Sequence, residues 1–260
     1  MSKASGETLP AVSIIIPALN EEHYVPVLLE SLSNIQAPID IIVVDGTSTD
    51  GTVRVVEKFI PRFSGDRLLR VVSSGRGISR QRNYGTTLAK HAILLFLDAD
   101  VVIPSPAHYE KMVATFERKK YVVASPLIEG LERHIVADLI YGGFHVLQRI
   151  YLFFGRAYFP GACMLTRKDV FTALGGFDTS HHVAEDLEYS LKAARYGTPG
   201  LLDVHIPTST RRFKRYGYWS VCKTYTTGAL RVMFTGRIPQ RHTRYPFGEY
   251  AKPPRTLSEP

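Results

Sequence analysis

Cysteine is scarce in this 260-residue chain: Cys163 and Cys222 are the only two. Two cysteines cannot build a disulfide framework or a four-ligand zinc site, and their scarcity suits a reducing compartment. Long apolar runs are lacking as well. The best, Ile93 to Leu97, has five residues, against roughly 20 needed to cross a bilayer. The opening MSKASGETLP holds no apolar segment of the kind found in secretory signals, so residues 1–10 are expected to be a flexible leader. Internal repeats and low-complexity linkers are missing, which excludes a bare repeat array. With 45% hydrophobic and 22% charged residues, the composition is that of an ordinary globular chain of one large domain or two small ones.

What the chain does have is unevenly placed charge. Residues 1–206 carry 21 Lys/Arg and 22 Asp/Glu, whereas residues 207–260 carry 11 and 2, a net of +9. A basic C-terminal fifth on a neutral body implies an anionic partner: nucleic acid, anionic lipid or a phosphorylated small molecule. Charge alone does not choose among them.

Apolar patterning predicts alternating strands and helices. Val12–Ile16, ended by Pro17, reads as a buried strand; Asn20 follows as the N-cap of a helix carrying Leu28, Leu29 and Leu32, with Glu21 and Glu22 at its positive end. Ile41–Val44 is a second strand ending at Asp45, after which Asp50 is placed to cap a helix bearing Val53 and Val56. Leu68–Val72 is a third strand, followed by the Gly75–Gly77 turn and a helix to about residue 90; Ile93–Leu97 is a fourth, ending at Asp98. Strand–helix alternation at this spacing predicts an α/β fold, a mostly parallel sheet with helices on both faces. Ligands of such sheets bind outside the carboxyl ends of the strands, where Asn20, Asp45, Asp98 and Asp100 fall.

The second half is less regular. Val122–Ala124 and Gly161–Thr166 read as strands, and Val183–Tyr196 as a helix. Residues 135–154 place Leu139, Phe144, Leu147, Ile150 and Phe154 at helical spacing despite Gly142 and Gly143. Core packing explains that stripe first. An interfacial helix, lying with Trp219, Tyr216, Tyr218 and nearby arginines on anionic headgroups or a lipid-linked acceptor, is the second reading.

Asp98-Ala99-Asp100, two carboxylates one residue apart at a strand end, can address one hard cation such as Mg²⁺ or Mn²⁺ together with substrate phosphate oxygens. A solvated turn is the plain alternative, which the other strand-end acids disfavour. In order along the chain stand Ile15-Ile16-Pro17-Ala18-Leu19-Asn20-Glu21-Glu22, Val44-Asp45-Gly46-Thr47-Ser48-Thr49-Asp50-Gly51-Thr52, Arg82-Asn83-Tyr84-Gly85, Leu97-Asp98-Ala99-Asp100, Gly175-Gly176-Phe177-Asp178 and Glu185-Asp186. This ordered set resembles the family 2 glycosyltransferases, whose nucleotide-diphospho-sugar-binding fold is the Rossmann-like GT-A fold; the likeness runs from about Val12 to Tyr216.

The resemblance implies a GT-A domain over residues 11–206, with a nucleotide-binding half (11–100) and an acceptor half (101–206), followed by a helical, basic extension (207–260). It implies an inverting, metal-dependent transfer of one sugar from a nucleotide-diphosphate donor, UDP- or GDP-linked, to a sugar, lipid-linked or small-molecule acceptor. Pro17, Ala18, Asn20 and Glu21 would line the nucleoside pocket and Asp45 would accept from the base. Arg76, in a Gly-Arg-Gly turn before a helix, would meet phosphate, and Arg211 or Arg212 would close over the diphosphate. Arg82 belongs to the family's Arg-Asn-x-Gly element and would support the donor site or contact it. Asp98, Ala99 and Asp100 would hold ribose, diphosphate and metal (Mn²⁺ or Mg²⁺), with His205 completing the metal shell. Asp186 would be the general base, with Glu185 beside it and Gly161-Ala162 flooring the acceptor pocket.

The expected location is cytoplasmic or peripheral at the cytoplasmic membrane face, and no nucleic acid is expected as a partner. Arg211-Arg212-Phe213 departs from the Gln-x-x-Arg-Trp element of processive polymer synthases, which argues against long-polymer export. A nucleotidyltransferase of related fold would carry a Gly-rich basic loop where this chain has Pro-Ala-Leu-Asn-Glu-Glu. An inactive, anion-binding relative is the other alternative, disfavoured by the retained acids.

Overall fold

The computed structural model describes residues 9–132, 134–180, 184–220, 222–223 and 227. Residues 1–8 of the expected leader, Val183 and most of the basic extension expected over 207–260 lie outside the described residues, as does the Arg212 side chain.

Seven strands form one mixed sheet: β1 (Val12–Ala18), β2 (Ile39–Asp45), β3 (Arg67–Ser73), β4 (Ile93–Leu97), β5 (Val123–Gly130), β6 (Cys163–Arg167) and β7 (Pro199–Thr208), in the order β3-β2-β1-β4-β6-β5-β7. Pairing is parallel throughout the β3-β2-β1-β4 half and again between β5 and β7; β6 alone runs antiparallel, to both β4 and β5. The first four strands are continuous Val/Ile/Leu runs because helices cover both faces. These are α1 (Val25–Ser33), α2 (Thr52–Phe59), α3 (Ile78–Leu88), α4 (Pro106–Arg118), α5 (Ile135–Phe153), α6 (Lys168–Ala173), α7 (Glu185–Ala193) and α8 (Arg211–Tyr216). The predicted fold class is therefore correct.

Several local expectations change. β1 runs two residues past its expected end, through Pro17. Its pairing with β4 stops at Ile15, so the N–H that proline lacks is not needed on that side. Asn20 caps no helix. It adopts a left-handed conformation (φ 58°) in the β1–α1 loop, and α1 starts five residues later at Val25, with Pro26 in its first turn. Gly51, not Asp50, is the N-cap of α2, although Asp50 accepts a hydrogen bond from Thr52 N at 2.9 Å. Helix α7 is shorter than the predicted 183–196, and β7 has no counterpart in the sequence reading. Its signal was there: Leu202, Val204 and Ile206 are buried while Asp203 and His205 face solvent, the two-residue period of a strand with one wet face.

Close approach fixes α3 on the sheet. A Cβ built at Gly85 lies 2.6 Å from Ile15 Cγ2 and 3.0 Å from Val44 Cγ2, so no other residue fits without pushing the helix off β1 and β2. Gly85→Ala is expected to lower stability by about 1–3 kcal/mol, read as a reduced urea midpoint at unchanged slope; a midpoint equal to the parent's would show that the helix yields freely.

Candidate active site

The carboxyl ends of β1, β2 and β4 are neighbours in the sheet, and the loops leaving them are stitched together. Asn20 N donates to Ser48 Oγ at 2.9 Å and Thr49 N to the Asn20 side-chain carbonyl at 2.9 Å; Glu21 N donates to Thr52 Oγ1 at 2.8 Å. Asp45 is buried at the tip of β2, where its carboxylate closes its own turn by accepting from Thr47 N at 3.0 Å and Ser48 N at 3.1 Å. Sequence reasoning missed Gln81. Its amide, fully buried, donates to the carbonyls of Ala18 and Val44 at 2.8 and 2.7 Å and ties α3 to the strand ends. A lone polar residue on a helix gives no sequence signal for such a bridge.

Arg82 reaches across the sheet from α3 with its side chain 1% exposed. It donates to Asp98 Oδ1 at 2.7 Å, Glu185 Oε1 at 3.0 Å and the Gly161 carbonyl at 2.9 Å, and its guanidinium lies 5.3 Å from the centre of the Phe177 ring. One cation thus joins the acid following β4 to the first residue of α7, itself 103 positions from Arg82. Gly161 is needed there, since a Cβ would fall 2.5 Å from the guanidinium. Its N–H donates to Asp186 Oδ2 at 2.5 Å, while Asp98 N donates to the Ala162 carbonyl at 2.9 Å. Ala184, just before Glu185, is held left-handed at φ 62°, a conformation that costs a non-glycine residue about 1–3 kcal/mol and tends to persist at functional sites. The Gly175-Gly176-Phe177 element supports this group from below. Both glycines have positive φ, and the Asn83 amide clamps the Phe177 backbone by accepting from its N at 2.9 Å and donating to its carbonyl at 2.8 Å.

A second cluster sits beside the first. Arg211, from α8, makes a two-pronged bond to Glu21 (Nη1–Oε2 2.7 Å, Nη2–Oε1 2.8 Å) and a third contact from Nε to Asp100 Oδ2 at 2.9 Å. Its guanidinium lies over the Tyr24 ring, 4.3 Å from the centre. Thr208, at the end of β7, donates to Asp100 Oδ1 at 3.4 Å. Burial pushes the Glu21 carboxyl up to about 7; Arg211 pulls the other way, and the charges of Asp100 and Asp98 reinforce burial. Burial likewise raises Glu185 and Asp186. For Glu185 the neighbouring Asp186 charge adds to the rise, and Arg82 opposes it for both.

The structure thus brings together Pro17, Ala18, Asn20, Glu21, Arg82, Asp98, Ala99, Asp100, Gly161, Ala162, Glu185, Asp186 and Arg211, with Asp45 at the adjoining strand tip. Arg82 is fully buried among these acids. Arg76 stands exposed in the turn before α3. His205 is not brought to the acids. It lies on the wet face of β7 with Nδ1 2.9 Å from Glu129 Oε2, and Thr208, the β7 residue that reaches Asp100, is three positions on, roughly 10 Å and the opposite face of the strand. Among the described residues no group of three or more His, Cys, Asp or Glu could hold a metal by itself.

The family model for "Glycosyl transferase family 2" matches residues 13–175. The chain is 32% identical over 124 residues to the 4,4'-diaponeurosporenoate glycosyltransferase of Staphylococcus haemolyticus; this covers 46% of the chain and 32% of that protein, so the chain spans about a third of that relative's length. It is 26% identical over 209 residues to the PGL/p-HBAD biosynthesis glycosyltransferase of Mycobacterium bovis, covering 80% of the chain and 78% of that protein. Among solved structures, the mannosyltransferase PcManGT of Pyrobaculum calidifontis, in complex with GDP-Man and Mn²⁺, is similar in fold (TM-score 0.69, 21% identity, 89% of this chain and 66% of that one). So is S. aureus TarS 1-349 in complex with UDP-GlcNAc (TM-score 0.61, 21% identity, 77% and 59%).

Removing Arg82 strands buried carboxylates without their cation, a loss of about 3–5 kcal/mol for a broken buried pair. Arg82→Met should show that loss in urea unfolding above pH 7. The acids whose pKa burial raises take up protons as the pH falls, so the deficit should shrink toward pH 5. A deficit independent of pH would mean that packing, not charge, is what Arg82 supplies.

Proposed function

The chain belongs to glycosyl transferase family 2, and from that membership and the geometry of its cleft we propose that it is an inverting glycosyltransferase moving one sugar from a nucleoside-diphosphate donor to an acceptor hydroxyl. The observation that carries this reading is the Arg82 bridge. It sets Asp98, at the donor side of the sheet, and the Glu185-Asp186 pair, at the head of α7, around one buried guanidinium. A single-displacement reaction needs that juxtaposition, with an acid for the leaving group's cation on one side and a base for the incoming hydroxyl on the other.

The nucleoside would lie over Pro17–Ala18 and the stitched loops after β1 and β2, with Asp45 at the tip of β2 accepting from a base N–H. Relatives in fold are bound to GDP-Man and to UDP-GlcNAc, and either base suits that site. The donor set at the tip of β4 fits a divalent cation. Asp98 and Asp100 are hard oxygen donors, and Asp100 already accepts a cationic group, the Arg211 guanidinium, on Oδ2. Two carboxylates plus diphosphate oxygens and water match what Mg²⁺ or Mn²⁺ takes. When bound, the ion would neutralise charge building on the leaving diphosphate.

In the transfer, Asp186 accepts the proton of the acceptor hydroxyl as the acceptor oxygen forms its bond to the anomeric carbon. The bond from that carbon to the diphosphate oxygen breaks on the opposite face with its electron pair, inverting the configuration. Backbone N–H groups of Gly161 and Leu187 aim the Asp186 carboxylate, and burial raises its proton affinity toward what a base near neutral pH requires. Arg211, in this reading, exchanges its Asp100 and Glu21 partners for donor phosphate oxygens.

Two measurements test the assignment. UDP and GDP with Mn²⁺ are expected to raise the thermal midpoint by linkage, and Asp100→Asn to abolish the metal-dependent part; a metal-independent shift in the parent would sink the cation role. Asp186→Asn should lower kcat for nucleotide-sugar turnover by about 10²–10⁴-fold with nucleotide binding retained. The acid limb of the parent's pH–rate profile should lie above the ordinary aspartate value of 3.8, since the base must be ionised to act. Near-parental turnover in Asp186→Asn refutes the base.

A further inference from the structure

Helix α5 is apolar on both sides. Its inner residues, Phe144, Leu147 and Tyr151 among them, pack with Tyr158 and with Leu187 of α7. The expectation that core packing absorbs the stripe fails for the outer face. There Ile135, Leu139, Val146, Ile150 and Phe153 recur at three-, four- and seven-residue steps and are 78, 70, 56, 49 and 84% exposed. Gly142 and Gly143 fill the gap in this stripe, and a Cβ at either would meet nothing within 4 Å. Trp219, 89% exposed, follows Tyr218, which stacks on His134 at 4.5 Å next to the first turn of α5. Phe154, 69% exposed, extends the face at the other end of α5. The result is an unbroken apolar strip along a helix roughly 28 Å long, beyond what an isolated soluble surface shows.

We propose that this face docks on an anionic lipid surface, with α5 lying in the headgroup plane and Trp219, Phe153 and Phe154 inserted among the acyl chains. The bordering charge selects this occupant. Arg149 borders the stripe, and Arg156 and Arg215 are exposed near its two ends. The segment 207–260 carries 11 Lys/Arg against 2 Asp/Glu. Of the acids on this side, Glu132 is held by Thr210 and Lys214, and Asp138 borders the stripe on the same flank as Arg149, eleven residues before it. Aromatic ends, an aliphatic middle and flanking arginines are the chemistry of a helix in a membrane interface. No helix among the described residues is long and apolar enough to cross a bilayer, so the contact is peripheral. A second copy of this chain would bring two strongly basic segments together, which their charge opposes. The docking stands independently of the sugar-transfer reading, because its readout is not activity.

Trp219 is the chain's only tryptophan, so its fluorescence reports this face directly. The full chain is mixed at low salt with phosphatidylcholine vesicles, with or without phosphatidylglycerol, and followed by emission and flotation. With phosphatidylglycerol alone, the emission should move to shorter wavelength, brominated acyl chains should quench it, and added salt should weaken the response. Phe153→Asp combined with Phe154→Asp should lower vesicle partitioning by roughly tenfold or more at unchanged circular dichroism and thermal midpoint. An unchanged Trp219 spectrum overturns the proposal, as does binding that the double variant leaves intact. A dimer in light scattering that Phe153→Asp dissociates assigns the face to a second copy, and overturns it equally.

Discussion

The buried guanidinium of Arg82 is the constraint on which the rest of the site depends. A charge that far from water persists only with partners that satisfy it, and here they come from three separate places: the turn after β4, the loop before β6 and the head of α7. Meeting that demand draws α7 against the carboxyl end of β4. It also explains why residue 161 is glycine, since any side chain would occupy the volume the guanidinium fills. The motif residues Asn83 and Gly175–Phe177 hold the floor beneath it, with the Phe177 ring against the guanidinium.

A contrasting electrostatic arrangement governs the neighbouring acids. Glu21 and Asp100 also share a cation, but theirs is Arg211, brought in by a six-residue helix at the chain's basic end. The two clusters differ in how their cations are held. Arg82 is locked in the core at 1% exposure, whereas Arg211 lies partly exposed against the Tyr24 ring. Charge repulsion among Glu21, Asp98 and Asp100 makes a positive occupant of this corner electrostatically favourable in either case.

Much of the architecture was legible in the sequence because continuous β-branched and leucine runs have few alternatives to buried parallel strands. β1 to β4 and the acids at their tips were found that way. The exceptions each have a physical reason. Asn20 looks like a cap by type, but the loop needed a left-handed residue that could also bond Thr49, and asparagine does both. β7 escaped notice because its alternation is confined to the five residues Leu202–Ile206, between Pro199 and Pro207. The outer face of α5 could not be told from its inner face, since apolar residues at helical spacing stand on both and the spacing does not say which meets the core.

Residue types, their order and their local spacing were enough to determine an α/β sheet with carboxylates at its strand ends, and to point to the family. Which acids converge is another matter. That Arg82 joins Asp98 to Glu185, that Arg211 and not His205 meets Asp100, and that Gln81 ties α3 to two strand tips were decided only by the tertiary structure. These contacts link positions from 16 residues apart (Arg82 and Asp98) to 111 (Arg211 and Asp100). Burial then chooses partners by proximity and by the need to satisfy charge, and neither quantity exists along the chain until it folds.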